Sequence, residues 1–94
     1  MTIEELCQII KDRKKNMPKD SYVASLFRDG KDRIIQKVGE EATEVVIAAK
    51  NKRKERIISE VADLVFHVLI MLSMFDISFN EVLKELEKRR KTGS

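Results

Sequence analysis

Five carboxylates lie in two short runs, and four of them are spaced as if to meet. Glu40, Glu41 and Glu44 fall within one short run, Lys37-Val38-Gly39-Glu40-Glu41-Ala42-Thr43-Glu44, and Glu60 and Asp63 follow with two residues between them. At about 100° per residue, helical positions three apart point only about 60° apart. Glu41 and Glu44 therefore share one face of one helix, and Glu60 and Asp63 share one face of the next. If those helices pack antiparallel, four acids converge. Unpaired, they would repel one another strongly at low dielectric, so a positive partner is required, and a hard divalent cation is the simplest one that oxygen ligands alone would hold. Glu41, Glu44, Glu60 and Asp63 are the expected metal ligands and catalytic acids, with Glu40 further round toward solvent.

Mg2+ prefers octahedral oxygen coordination, keeps several waters and bridges carboxylates to substrate phosphates, which suits phosphoanhydride hydrolysis. An acid not fully engaged by metal would accept a proton from the attacking water. Lys37, one turn before Glu41, is placed to contact a phosphate oxygen, and His67 lies on the Glu60–Asp63 stripe. A di-iron bundle also uses helical carboxylates but pairs each with Glu-x-x-His, whereas the residue three after Glu60 is Asp63. The competing reading is a non-catalytic helical interaction module whose acids form salt bridges with Lys37, Lys50 or Arg53.

The elements that must position these groups are helices. Three Gly and one Pro in 94 residues are too few for a β protein rich in turns, and 43% apolar with 37% charged residues argues against disorder. Thr2 and Glu5 make a capping box ahead of a stripe of Ile3, Leu6, Ile9 and Ile10, a helix expected to run to about residue 14. After Asn16-Met17-Pro18, Asp20 or Ser21 caps a short helix of Tyr22, Val23, Leu26 and Phe27 that Gly30 ends. A third helix starts at Asp32, with a stripe of Ile34, Ile35, Val38, Ala42, Val45, Val46 and Ala49 and Glu41 at its border. Gly39 inside it costs about 1 kcal/mol relative to Ala, and close approach of a backbone or ligand would explain it.

The fourth helix, expected over residues 54–75, is apolar nearly all round, yet a short chain has few helices to surround it. Burial in a core shared across a homodimer follows as the expectation. Residues 61–77 contain Asp63, His67 and Asp76 and are short for a membrane span, so no membrane partner is expected. Ser78 and Glu81 cap a fifth helix with Phe79, Val82, Leu83 and Leu86, and residues 88–94 are expected to form a flexible tail. The chain is thus read as one all-α domain over residues 1–94, a bundle of four to five helices.

Net charge is +3, with basic runs at residues 11–15, 50–56 and 88–91, but no interleaving of aromatic and basic residues suggests nucleic-acid readout. Cys7 is the sole cysteine, which fits a reducing cytoplasm and excludes an internal disulfide or a cysteine zinc site. No signal peptide is expected, because the chain opens with Glu4 and Glu5.

Glu40-Glu41-Ala42-Thr43-Glu44, fifteen residues, then Glu60-Val61-Ala62-Asp63 resembles the paired-acid signature of the MazG-like all-α nucleotide pyrophosphohydrolases. Ser21-Tyr22, Gly30, the run Lys37 to Ala42, Ala48-Ala49-Lys50-Asn51, and Ala62-Asp63-Leu64 with His67 narrow the resemblance to the phosphoribosyl-ATP pyrophosphatases of histidine biosynthesis, over roughly residues 3–90. That resemblance implies a dimer of helical protomers and Mg2+-dependent cleavage of phosphoribosyl-ATP to phosphoribosyl-AMP and pyrophosphate. It places Lys37 at phosphate and Ser21, Tyr22, Glu40 and His67 near substrate. Phe66 stands where that family often has Tyr, and Val23 where it often has Thr. A housecleaning pyrophosphohydrolase for other nucleoside triphosphates is the nearer alternative.

Overall fold

The computed structural model describes residues 1–93, and among them the secondary structure is entirely helical. Five helices follow in order: α1 (Ile3–Asn16), α2 (Tyr22–Asp29), α3 (Lys31–Lys50), α4 (Lys54–Met74) and α5 (Phe79–Lys91). Their boundaries sit where local chemistry puts them. Thr2 Oγ1 accepts the Glu5 N–H at 3.0 Å, and Ser21 Oγ accepts the Ala24 N–H at 3.1 Å. At the last helix, the Glu81 carboxylate accepts the Ser78 N–H at 2.8 Å, completing a capping box.

Gly30 closes α2 and opens α3 at φ 101°, donating its N–H to the Leu26 carbonyl. A side chain would be strained in that conformation, so the glycine permits two helices to join with no loop between them. The α3–α4 link is nearly as short. Asn51, Lys52 and Arg53 reverse the chain, Lys52 in the left-handed region at φ 56°, so α3 and α4 form a helical hairpin and pack along each other.

The core lies where α1 and α2 cover one side of this hairpin. Ile10, Val23, Leu26, Ile34, Leu69 and Ile70 are buried together, with Leu6, Phe27, Phe66 and Leu72 packed against them. Fully burying such an aliphatic side chain contributes about 1.5–3 kcal/mol. Lys14 ties α1 to the end of α4, donating to the Ser73 carbonyl at 2.6 Å and to Asp76 at 3.1 Å.

Other apolar positions stay uncovered. Ile35, Val46, Ile47, Ile58, Val61 and Val65 on the hairpin are exposed, and so are Leu83 and Leu86 on α5, which has no buried residue. One expectation is corrected here and another is narrowed. Residues 88–91, expected in the tail, are the last turn of α5, where the backbone continues the hydrogen-bond pattern set at Ser78. Outside the backbone of its own helix turns, nothing among the described residues comes within 4 Å of where a Cβ on Gly39 would stand, so packing against another element of this chain does not account for the glycine. Ser94, the end of the expected tail, lies outside the described residues.

Candidate active site

The hairpin brings three of the four expected acids together. Glu41 on α3 and Asp63 on α4 lie at equal sequence distance from the turn, so the reversal sets them side by side, and Glu60 precedes Asp63 by one helical turn. One carboxylate oxygen each from Glu41, Glu60 and Asp63 lies within 4.8 Å of the others. Glu44, one turn further along α3 and half-buried, stands outside this trio.

The positive partners that the cluster requires are partly the chain's own. Lys37 Nζ lies 3.0 Å from Glu41 and 3.8 Å from Glu40, and Arg56 lies 3.2 Å from Glu60. Lys37–Glu41 and Arg56–Glu60 follow from i,i+4 spacing and Lys37–Glu40 from i,i+3. The Lys37 and Glu41 side chains are only 18% and 13% exposed, so this pair is less screened than an ordinary surface bridge, whereas Arg56 reaches Glu60 from solvent. The hydrogen bond to Glu41 holds the Lys37 pKa above the usual lysine value, with smaller contributions in the same direction from Tyr22, Glu41 and Glu40 charge and an opposing one from burial. Arg56 was missed in the sequence reading, although its spacing to Glu60 is visible there.

The trio fits a hard divalent cation: the donors are all carboxylate oxygens, close together and carried on two packed helices rather than on loops. Asp63 is exposed, so the cluster opens to solvent on one side. Glu40, half-exposed, is not one of the trio and accepts from Gln36 at 3.0 Å.

His67 and Tyr22 form the adjoining wall. His67 is 5% exposed and both ring nitrogens are engaged: Nδ1 lies 2.6 Å from the Asp63 carbonyl and Nε2 lies 2.8 Å from the Tyr22 hydroxyl. The carbonyl can only accept, so Nδ1 carries the hydrogen; in the neutral ring Nε2 is then bare and accepts from the Tyr22 O–H. Both nitrogens of His67, expected near substrate, are thus engaged within the chain, one by the Asp63 backbone and one by Tyr22. Phe66 stacks on Tyr22 with centroids 6.5 Å apart and meets His67 edge-on at 5.5 Å. Ser21 uses its hydroxyl oxygen to cap α2.

Five helices and an oxygen-only acid cluster mounted on a helical hairpin define the class, an all-α protein with a carboxylate site. The sequence profile of the phosphoribosyl-ATP pyrophosphohydrolases matches residues 3–90. A phosphoribosyl-ATP pyrophosphatase of Leptospira biflexa is 49% identical over 85 residues, covering 90% of this chain and 92% of its own. That of Metallosphaera sedula is 49% identical over 89 residues, covering 95% and 96%. The histidine biosynthesis bifunctional protein of Pyrococcus furiosus is also 49% identical over 89 residues, 95% of this chain but 41% of the longer protein. The chain belongs to the phosphoribosyl-ATP pyrophosphohydrolase family.

Proposed function

We propose that this chain hydrolyses phosphoribosyl-ATP at its α–β phosphoanhydride, yielding phosphoribosyl-AMP and pyrophosphate in histidine biosynthesis. The observation that carries the reading is the convergence of Glu41, Glu60 and Asp63 in a chain matched to this family from residue 3 to 90. Those three acids, with Glu44 beside them, would hold Mg2+, which when bound supplies positive charge against the phosphates and lowers the pKa of a bound water. Lys37 contributes an ammonium one turn from Glu41, suited to a phosphate oxygen. A carboxylate of the cluster takes the proton released as the water oxygen bonds to phosphorus and the bridging P–O bond breaks. Rigid helices hold these groups, so little reorganisation accompanies the reaction.

The whole chain acts as one domain in this reading, in the cytoplasm, on a small nucleotide and with neither nucleic acid nor membrane as partner. It works as a homodimer. The uncovered apolar residues on α3, α4 and α5 support this, because burial against a second copy would remove them from water. α4 is long and apolar enough by composition to cross a membrane, but Glu60 and Asp63 on it join Glu41 of α3 in the acid cluster. The experiment is turnover of phosphoribosyl-ATP beside a panel of deoxynucleoside triphosphates. Preference for phosphoribosyl-ATP is expected; preference for a deoxynucleotide would replace this reading with a housecleaning pyrophosphohydrolase.

A further inference from the structure

Tyr22 and His67 are the chain's single tyrosine and single histidine. They are 45 residues apart in sequence and joined by a 2.8 Å hydrogen bond between α2 and α4. Because Nε2 takes the hydroxyl hydrogen, the phenolic oxygen keeps only lone pairs for anything else. Tyr22 is nevertheless 48% exposed, and among the described residues its hydroxyl has no other hydrogen-bond partner. Its partner His67 stands one helical turn after Asp63 of the acid cluster on α4. His67 in turn is bonded to the carbonyl of Asp63 itself. Phe66, stacked on the phenol and lacking any polar atom, restrains the ring without competing for its hydrogen.

We infer that His67 is a positioning residue: by accepting the Tyr22 O–H hydrogen bond it leaves the phenolic oxygen with only lone pairs to offer, so that this oxygen binds a hydrogen-bond donor of the nucleotide, a sugar hydroxyl, and turns phosphate oxygens away. This rests on the pyrophosphohydrolase reading, since it assigns a ligand group within that site. A water ordered beside the acids offers the same donor chemistry, and the test separates the two. Phosphates are thereby directed to the Lys37 side and the sugar to the Tyr22 side, which orients the anhydride relative to Glu41, Glu60 and Asp63.

The test compares Tyr22→Phe, His67→Asn, His67→Gln and the double variant Tyr22→Phe/His67→Asn. An Asn amide overlays Nδ1 and keeps the bond to Asp63 but loses Tyr22. A Gln amide reaches the Nε2 position, where its carbonyl accepts the phenol hydrogen. Tyr22→Phe and His67→Asn should each raise KM for phosphoribosyl-ATP by about five- to tenfold, with kcat within about twofold. His67→Gln should recover most of the loss, and the double variant should be no worse than Tyr22→Phe. Additive losses, a Gln variant as poor as Asn, or a fall in kcat at constant KM would overturn the proposal. If His67→Asn does not fold, an unchanged KM in Tyr22→Phe suffices to overturn it.

Two readouts do not need turnover. The lone histidine should show an Nδ1-protonated tautomer by 15N NMR, with Nε2 moved by Tyr22→Phe; the opposite tautomer overturns the proposal. With no Trp present, intrinsic fluorescence reports Tyr22 alone. A change on mixing with phosphoribosyl-ATP, absent with Mg2+ alone, supports the sugar hydroxyl; the full change with Mg2+ alone assigns the donor to ordered water and overturns it. Nucleotide that binds and shifts the Tyr22 signal without being hydrolysed would refute the reaction while leaving the hydrogen-bond assignment standing.

Discussion

Replacing Lys37 with Met should move three quantities, two of them in opposite directions. The ammonium sits 3.0 Å from Glu41 in a pair that is mostly shielded from solvent. At about 4 Å between charge centres and an effective dielectric of about 20–40, the attraction is about 2–4 kcal/mol, of which desolvation and side-chain ordering leave about 1 kcal/mol. Without metal, the variant should lose that much stability, a drop of about 4–8 °C in Tm for a domain of this size. Metal binding should improve. A unit charge about 5 Å from a divalent ion costs about 3 kcal/mol at a dielectric of about 40, and the long lysine side chain recovers about half of this by swinging away from the ion. Lys37→Met should therefore bind Mg2+ about tenfold more tightly in the absence of nucleotide. KM for phosphoribosyl-ATP should rise, because a phosphate contact is lost. Isothermal titration with Mg2+, thermal melts and steady-state kinetics read the three effects. Unchanged or weaker Mg2+ binding would refute the reasoning, since Lys37 would then not share Glu41 with the ion. Because its pKa is raised, the lysine's contribution is complete below the ordinary lysine value. It is lost only as pH climbs through the higher folded value, so the stability gap between wild type and variant should be flat across neutral pH and close in strong alkali.

Gly39→Ala should stabilise the fold by about 0.5–1 kcal/mol, since the position is mid-helix with open space around it; destabilisation measured by denaturant titration would show that a second copy packs there. Light scattering at micromolar concentration should give twice the chain mass, and Val61→Glu or Val65→Glu should weaken that assembly; a wild-type monomer would rule out the shared core. Cys7 should react slowly with iodoacetamide at pH 7, because burial first and the neighbouring Glu4 second raise its thiol pKa; alkylation as fast as for a free thiol would contradict this.

α1, α2 and α5 were legible because each carries its own punctuation, whereas α3 and α4 start without a side-chain cap and were marked by their apolar patterns. Ser21 and Ser78 sit at N-caps, Thr2 accepts from Glu5, and Gly30 stops α2, all through bonds within four residues. The acid trio was legible for a related reason: a short link between two amphipathic helices leaves little choice but a hairpin, and the hairpin aligns Glu41 with Glu60 and Asp63. What periodicity did not reveal was tertiary. The Tyr22–His67 bond depends on how α2 crosses α4, which no local pattern encodes. The wheel placed Glu44 with Glu41, but the distances to α4 select Glu41. Local charge pairing by Lys37 and Arg56 was readable at i,i+4 yet was outweighed in the reading by the larger carboxylate repulsion. The stripe on α5 marked an apolar face without saying what covers it.

Pyrophosphate release from phosphoribosyl-ATP, measured with and without Mg2+ on wild type and Asp63→Asn, tests the central claim most directly. Asp63 is exposed, so its amide variant should fold normally while losing one oxygen ligand. Mg2+-dependent release by the wild type that falls at least about a hundredfold in Asp63→Asn is the expected result. Release that persists in the folded variant, or that proceeds equally well without Mg2+, would contradict the assignment of the acid hairpin as the reaction centre.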